Sequence, residues 1–425
     1  MDQKISIAIA FIDNLFYSIL NEIVSVMQDY ILYFMGKVVS FLKKEIVSLI
    51  ECKTYDNKLI KEAILNSFEN LGGIHKFINK GDRVLLKLNL LMKKKPGDAT
   101  TTHPIFAKAL AEILMEYGAE VIIGDSPGGP FHASLLKGVY KTCGIEAIAK
   151  ETGAKLNYNT HSTEIKNQDG LILKKITAIE VLKEVDKVIS VSKLKTHGMM
   201  MFTGAVKNMF GIVAGLEKAE YHVRMPNNVD FSNALVDICL AAKPVLSFMD
   251  GIVGMEGEGP SGGTPRKIGV VIAGTSPYHL DVAATTVIGL KPGKVPTIQR
   301  CVERGLCKGS FEDIEMKGDP IENFIINDFV VPEIRSIDLL EEKVPQFLRT
   351  MIHGLLQPKP IFIHEKCVGC GDCTKNCPPQ AIEMKHGKPY VNLDGCIRCF
   401  CCQELCPVKA VEIHRPIMMK LLSKL

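Results

Sequence analysis

The stretches CVGCGDCTKNCP (residues 367–378) and CIRCFCCQELCP (residues 396–407) decide the fold of the last part of this chain. Each contains four cysteines in the spacing C-x₂-C-x₂-C-x₃-C, and a proline follows the fourth cysteine. Two such runs are typical of a module with two [4Fe–4S] clusters, in which the fourth cysteine of each run reaches the other cluster. The spacing predicts a first cysteine set and a second cysteine set, which are Cys367, Cys370, Cys373 and Cys406, and Cys396, Cys399, Cys402 and Cys377.

Zinc and disulfides are the alternatives that cysteines at this spacing raise. Structural zinc sites usually pair two C-x₂-C doublets across a longer gap, and a third cysteine followed by a C-P pair does not fit them. Cysteines two residues apart in a 425-residue chain with no apparent signal peptide argue against an oxidised compartment. Cys401 has no place in the pattern and is interpreted as a spare, and the five cysteines before residue 308 are expected to be small apolar fillers.

Composition sets bounds on the rest of the chain. With 425 residues, of which 47% are apolar, we expect two or three domains and a sizeable core. The net charge is only +4 and no long basic run is present, so no nucleic-acid partner is expected. Because exposed iron–sulfur clusters are lost to oxygen, we expect the reducing cytoplasm of an anaerobe.

Residues 1–43 are expected to form a separate N-terminal extension. Residues 5–42 are strongly apolar, but charges interrupt them before about eighteen uncharged residues accumulate, so a spanning helix is not expected. Polar residues at steps of four and three, from Asn14 to Gln28, predict an amphipathic helix with one narrow polar stripe. Peripheral membrane contact, dimerisation and capping of its own protein all remain open for this helix.

Residues 44–332 alternate strand-like and helix-like runs. The predicted strands are 45–51, 83–89, 120–125, 187–193, 245–250 and 267–274, and the predicted helices are 58–71, 104–117, 229–242 and 279–289. This alternation predicts an α/β fold with a largely parallel sheet and helices on both faces. A helical connector is predicted at 333–359, a small α+β two-cluster domain at 360–415, and a tail at 416–425.

Polar residues follow several predicted strands, where ligands bind in sheets of this kind. His197 and Lys207 lie ten residues apart across a Gly/Thr loop with further lysines nearby, and such charge is costly to bury without a function. We therefore expect Lys207 and His197 to be catalytic or anion-binding residues. His103, at the start of a predicted helix, and His222 are further candidates for the same site.

The segment EGEGPSGG (residues 256–263) is too rich in glycine to be packed core. Glycine lets the backbone approach a phosphate or a cofactor closely. The sequence therefore predicts a further cofactor, of unknown identity, at Gly257, Gly259, Gly262 and Gly263. Neither the P-loop nor the G-x-G-x-x-G fingerprint is present in the required context.

Over roughly residues 44–332, the chain resembles the domain of unknown function 362 family, and the last part resembles bacterial two-cluster ferredoxins. The matching stretches of the first are GDRVLLKLNLL, THPIFAKALAEIL, IIGDSPGG, SKLKTHGMMMFTGAVKNMFGIVAG and MDGIVGMEGEGPSGGTPR. Many members of that family carry the same ferredoxin module, and the family has no general assigned reaction.

A more remote likeness is to lactate racemase, an α/β enzyme in which a lysine tethers a nickel-bearing nucleotide cofactor. Thr102-His103-Pro104, His197, Thr203-Gly204, Lys207 and His222 stand in a similar order and spacing. The chain departs from that motif because it lacks the Arg between His and Pro and has one glycine in the turn. The resemblance implies that Lys207 is an anchor or base and that the three histidines are acid/base or metal-facing groups.

Together these features favour an iron–sulfur oxidoreductase of unknown substrate, in which two [4Fe–4S] clusters exchange electrons with a site in the α/β domain. Its expected partners are a redox protein or small-molecule electron donor and a small-molecule substrate. A non-catalytic ferredoxin-type electron carrier or redox sensor is one alternative, and a lactate-racemase-like enzyme is the other. The enzyme is favoured because a carrier needs only the cysteine-rich end of the chain.

Overall fold

The structure is a computed structural model that describes residues 44–225, 227–332 and 358–414, with the isolated positions 27 and 416. The predicted helix of residues 1–43, nearly all of the predicted connector and most of the predicted tail lie outside the described residues. The chain divides into two compact units, Met1–Glu45 and Ile46–Leu425, and nearly all of the described residues lie in the second. No helix in the described ranges is long and apolar enough to cross a lipid bilayer.

A nine-stranded mixed sheet forms the centre of the α/β part. The described strands of this part are β1 (Glu45–Glu51), β2 (Arg83–Leu88), β3 (Glu120–Gly124), β4 (Lys155–Leu156), β5 (Ser162–Lys166), β6 (Lys175–Ile179), β7 (Lys187–His197), β8 (Met201–Thr203), β9 (Leu246–Glu256), β10 (Thr264–Gly274) and β11 (Ile314–Gly318). The order is β11-β1-β10-β9-β7-β2-β3-β4, with β8 beside β7, while β5 and β6 pair separately. Strands β4, β3, β2, β7 and β9 are parallel, and β10 and β1 complete the sheet in antiparallel pairings.

Helices cover both faces of this sheet. They are α1 (Asn57–Asn70), α2 (Pro104–Tyr117), α3 (Ala133–Thr142), α4 (Ile145–Thr152), α5 (Ala205–Asn208), α6 (Glu217–Arg224), α7 (Asn228–Ala242), α8 (Pro277–Val287) and α9 (Pro296–Glu303). Successive side chains of a strand point to opposite faces, so Val84 and Leu86 pack in one core with α1–α4, and Leu85 packs in the other with α7–α9. The predicted α/β fold is confirmed.

Two strands continue well beyond their predicted ends. Strands β7 and β9 are each eleven residues long, whereas the sequence pattern stopped at the charged residues Lys193 and Asp250. These two residues form a buried ion pair inside the sheet, with Lys193 Nζ 2.8 Å from Asp250 Oδ2. Each strand thus supplies the counter-charge for the other. Two charged residues that would each suggest the end of a strand can therefore lie inside the sheet.

The cysteine-rich part, called here the cysteine module, is a small α+β unit within residues 358–414. It consists of β12 (Lys359–Phe362), α10 (Asp372–Lys375), β13 (Ile382–Lys385), β14 (Lys388–Val391), α11 (Cys401–Glu404) and β15 (Val411–His414). Strands β12 and β15 pair antiparallel, as do β13 and β14. Each cysteine run thus contains one helical turn and is followed by a strand, so the repeated spacing corresponds to a repeated structure.

Candidate active site

A cavity lies where the carboxyl ends of β2, β3 and β7 meet the cysteine module. It has about 870 Å³ of empty space, part of which is open to solvent. The α/β part supplies most of the wall, and the module contributes Asn376, Cys401, Glu404 and Leu405. Both parts of the chain are therefore needed to form this cavity.

An internal ion pair fixes one side of the cavity. Lys87 Nζ lies 2.8 Å from Asp125 Oδ1 and donates to Asn208 Oδ1 at 3.0 Å. Burial lowers the pKa of Lys87, and the Asp125 charge acts against that lowering. A Cβ atom on Gly211 would lie 2.1 Å from Asp125 Oδ1 and 2.3 Å from Lys87 Nζ, so only glycine fits beside the pair. Lys87 is therefore the lysine of the cavity wall that forms a direct ion pair with Asp125.

Lys195 and Lys218 are buried cations with only neutral hydrogen-bond acceptors. Lys195 Nζ donates to Asn89 Oδ1 and to the Thr100 carbonyl, both at 2.7 Å. Lys218 Nζ donates to Ser126 Oγ at 2.7 Å and to the Pro127 carbonyl at 3.3 Å. Burial lowers the pKa of each lysine to about 7, and the nearby Lys207 charge adds to the effect on Lys195. Both lysines therefore change charge close to neutral pH.

Lys207 is held in the cavity wall by a capped helical turn. The Asp281 carboxylate accepts from the N–H groups of Ala205 at 2.6 Å and Val206 at 3.1 Å, which fixes the start of α5. Lys207 Nζ lies 5.3 Å from the centre of the Phe210 ring and 5.7 Å from that of Phe231. It makes no hydrogen bond to any described residue, and burial lowers its pKa.

Two histidines of the α/β part face a carboxylate of the module. His197 Nδ1 accepts from the N–H of Met199 at 3.1 Å, so the proton of the neutral ring is on Nε2. That nitrogen lies 3.1 Å from Glu404 Oε1, close enough for charge attraction but poorly aligned for a hydrogen bond. The His222 ring stacks on Phe231 at 4.4 Å, its Nδ1 has no partner among the described residues, and burial lowers its pKa to about 4.

Glu404 is a buried carboxylate that the α/β part keeps charged. Burial alone would raise its pKa, but His197, Lys207 and His222 outweigh burial and bring it to about 2. Burial also lowers the pKa of His197, and the Glu404 charge acts against that lowering. Glu404 lies in α11 between two predicted cluster ligands, Cys402 and Cys406, and thus links the module to the cavity.

The structure brings each predicted set of four cysteines together. The first cysteine set lines a space of about 350 Å³ and the second a space of about 310 Å³, each including open solvent. Backbone N–H groups donate to three of the sulfurs, those of Cys367, Cys377 and Cys406, at 3.2–3.4 Å. Four thiols around a space, with N–H groups directed at sulfur, fit a [4Fe–4S] cluster.

Cys401 lies between the second cysteine set and the cavity. Its side chain borders the space enclosed by the second set and also lines the cavity wall. It interacts by a hydrogen bond with Cys399, which together with burial raises the pKa of Cys401. The residue interpreted from the sequence as a spare thus lies between the predicted cluster ligands and the cavity.

His103 does not join the other predicted site residues. Its Nδ1 caps α2 by accepting from the N–H of Ile105 at 3.3 Å, and its ring stacks on Tyr55 at 3.6 Å. Its own N–H donates to Asp250 Oδ2 at 3.0 Å, so the anion at this helix start is a carboxylate of the protein. Lys207, His197 and His222 share the cavity, and a catalytic role for His103 stays a prediction.

The glycine-rich loop between β9 and β10 contacts the cysteine module. Gln403 Nε2 donates to the Glu258 carbonyl at 2.9 Å, and Lys409 Nζ donates to the Gly263 carbonyl at 2.7 Å. A Cβ atom on Gly262 would lie 2.5 Å from Gln403 Nε2. Pro260 of this loop reaches the cavity wall. The close approach made by the loop is to the module, and a further cofactor at Gly257, Gly259, Gly262 and Gly263 stays a prediction.

Four cavity residues were missed by sequence reasoning, namely Ser126, Lys218, Cys401 and Glu404. Ser126 follows a predicted strand, so its position was a usable signal. Lys218 lies in a short polar helix that resembles ordinary surface sequence. Cys401 and Glu404 carry no signal, because their part in the cavity depends on how the module docks.

The fold and the site define an α/β protein with an attached iron–sulfur electron-carrier module. A domain of unknown function (DUF362) matches residues 84–286, and a 4Fe-4S dicluster domain matches residues 359–407. A thylakoid-associated protein of Synechocystis sp. is 31% identical over 292 residues, which are 68% of this chain and 88% of that protein. The chain belongs to the DUF362 family.

Two solved structures show a distant likeness. One is a protein of Thermotoga maritima, with 16% identity and a TM-score of 0.35 over 55% of this chain and 59% of that one. The other is the lactate racemase apoprotein of Thermoanaerobacterium thermosaccharolyticum, with 13% identity and a TM-score of 0.36 over 57% of this chain and 58% of that one. A tethered nickel cofactor on Lys207 stays a prediction.

Proposed function

We propose that this protein is an oxidoreductase in which two [4Fe–4S] clusters exchange electrons with an anionic small molecule bound in the cavity. The observation that carries the proposal is the placement of Cys401 and Glu404. Both residues belong to α11, which also contains the predicted ligand Cys402, and both line the cavity. A helix that carries a cluster ligand is therefore part of the wall of a binding site.

The charge of the cavity favours an anion. Lys195, Lys207 and Lys218 line it and form no ion pair with a carboxylate among the described residues. Glu404 acts on Lys207 and Lys195, and Asp125 acts on Lys195 and Lys218, only through charge at longer range. Burying a charged group without a partner is costly, and an anionic ligand would supply the missing partner. An electron carrier or sensor has no need of such a cavity, and this is why the enzyme is preferred to that alternative.

The residues also account for the protons that a redox reaction requires. When bound, the clusters supply one electron each, drawn from a redox partner protein or a small-molecule donor. Reduction of the anion by these two electrons takes up two protons, and oxidation releases two electrons and two protons. Lys195 and Lys218, whose pKa values are lowered to about 7, can give or take protons at neutral pH. Lys207 and His197 bind and orient the anion in this scheme.

Exposure favours one direction of approach for the electron donor. Cys370 of the first cysteine set is exposed, and the neighbouring Val368 is 66% exposed. The second set lies beside the cavity through Cys401. We therefore place donor docking at the first set and delivery to the anion at the second.

The proposed location is the cytoplasm of an anaerobe, with residues 5–42 in peripheral contact with a membrane. Support comes from the apolar character of that segment and from the relative whose name describes it as thylakoid-associated. Dimerisation through the same segment is the alternative.

The test uses the full-length holoprotein, purified without oxygen, with inorganic phosphate as the anion. We expect about eight irons per chain, phosphate binding by calorimetry, and a change in the EPR spectrum of the reduced protein when phosphate is added. Lys207→Met should weaken binding at least about tenfold, because a charge-assisted contact contributes about 1.5–3 kcal/mol. Lys137→Met, which removes an exposed lysine, is the matched control. Equal phosphate binding by wild type and Lys207→Met would refute the proposal.

A further inference from the structure

The cations of the cavity form two separate groups. Lys195 and Lys207 lie close enough together for the charge of Lys207 to lower the pKa of Lys195. Lys195 donates to Asn89 and Thr100, whereas Lys218 donates to Ser126 and Pro127. The Lys87–Asp125 pair lies between these groups in one chain of hydrogen bonds, because Asn89 and Lys87 both donate to Asn208 Oδ1 and the Ser126 N–H donates to Asp125 Oδ1. The two groups therefore mark two ends of one cavity.

At neither end does a lysine form a direct ion pair with a carboxylate of the described residues. Lys218 donates only to the neutral oxygens of Ser126 and Pro127. At the other end, Lys207 has no hydrogen-bond partner in the described residues, and Glu404 is shared with His197. A ligand with one acidic group would satisfy one end and leave the other unpaired.

Ser126 adds a hydrogen-bond donor at the Lys218 end. Its Oγ accepts from Lys218 Nζ at 2.7 Å and from the N–H of Gly215 at 3.0 Å. A hydroxyl that accepts two hydrogen bonds still has its own proton to donate, and Ser126 donates it to no described residue. Ser126 lines the cavity and is 2% exposed, so the ligand is the acceptor that this geometry provides for.

We propose that the ligand carries two acidic groups, one bound by Lys218 and Ser126 and the other by Lys195 and Lys207. This inference rests on the proposed function and narrows its substrate class to small molecules with two separated carboxylates or phosphates. Lys218, Ser126, Lys195 and Lys207 all line this one cavity, so both ends face the same space.

The experiment compares dicarboxylates with matched monocarboxylates on the anaerobic holoprotein. Succinate, glutarate and adipate are titrated by calorimetry beside propionate, butyrate and valerate. At least one dicarboxylate should bind about tenfold or more tightly than its monocarboxylate match. Lys218→Met should abolish that advantage by removing one of the two acid-binding ends, while monocarboxylates still bind at the end formed by Lys195 and Lys207, and Lys137→Met should change neither series. Cluster absorbance and the thermal midpoint show that each variant is folded.

The outcomes separate this inference from the proposed function. Equal affinities for the two series in wild type, or an advantage that survives in Lys218→Met, would overturn the two-acid ligand alone. Absence of binding by phosphate and by both series would overturn the proposed function and this inference together. An advantage abolished equally by Lys137→Met would assign it to general surface charge and also overturn the inference.

Discussion

At the scale of single residues, the buried lysines of this protein differ in whether a carboxylate lies beside them. Lys87 and Lys193 have buried carboxylates as direct partners, Asp125 and Asp250. Lys207 instead faces two aromatic rings, an interaction that contributes about 0.5–2 kcal/mol, less than a buried cation forgoes in hydration. The same chain thus contains lysines built for structure and lysines left available to a ligand.

The titration of these lysines leads to a prediction about pH. Burial lowers the pKa of Lys195 and Lys218 to about 7, so both are cations below neutral pH and lose charge above it. Anion affinity should therefore fall as pH rises, by about tenfold or more between pH 6 and pH 9, since ordinary lysines titrate near 10.4. Sulfate is the suitable anion for calorimetry because its own charge is constant over this range. An affinity that is constant or rises with pH would rule out these two lysines as the binding cations.

Single residues also show which parts of the site the sequence could predict. The grouping of Cys367, Cys370, Cys373 with Cys406 follows from spacing, because three of the four sulfurs lie on one short loop. Lys207 and His197 were found because both follow the predicted strand 187–193, although β7 continues to His197 and Lys207 lies in α5 after β8. Glu404 could not be found, because its partners are about two hundred residues away in the sequence and meet it only after the module docks.

At the scale of elements, the loop of the β9–β10 hairpin contacts the cysteine module. The sequence predicted both strands of this hairpin. It did not predict that the two strands pair with each other, or that the loop between them contacts the module. The loop is close-packed, since a Cβ atom on Gly262 would lie 2.5 Å from Gln403 Nε2 and 2.8 Å from the Glu258 carbonyl. Gly262 is therefore explained by a close approach to the module, whereas Gly259 and Gly263 are crowded by Thr196 and Glu256 of the α/β part.

This packing predicts the effect of Gly262→Ala. The methyl group would push α11 away from the loop, because one of the two crowded atoms belongs to the backbone and cannot rotate aside. We expect faster hydrogen exchange in residues 401–405 and faster loss of clusters in air, with the α/β core unchanged. Gly293→Ala is the matched control, since a Cβ atom there meets nothing within 4 Å. Unchanged exchange in α11 would show that this loop does not hold the module.

At the scale of the whole molecule, the two parts of the chain share one site. The module contributes Glu404 and Cys401 to the cavity, and the α/β part contributes the cations that lower the pKa of Glu404 to about 2. In the proposed function, the charge of a cluster and the charge of the anion would lie on the two sides of Cys401, so each would affect the other. Such coupling is reciprocal: an anion that lowers a cluster's reduction potential is itself bound more weakly after reduction.

The most direct test of this account is a potentiometric EPR titration of both clusters with and without saturating sulfate. Sulfate should lower the reduction potential of the cluster at the second cysteine set and leave that of the other cluster nearly unchanged. A tenfold difference in sulfate affinity between redox states corresponds to about 59 mV for a one-electron couple. Lys207→Met should abolish the shift, while Lys137→Met should retain it. Potentials that stay the same with sulfate, or that shift equally for both clusters, would contradict a shared redox and anion site.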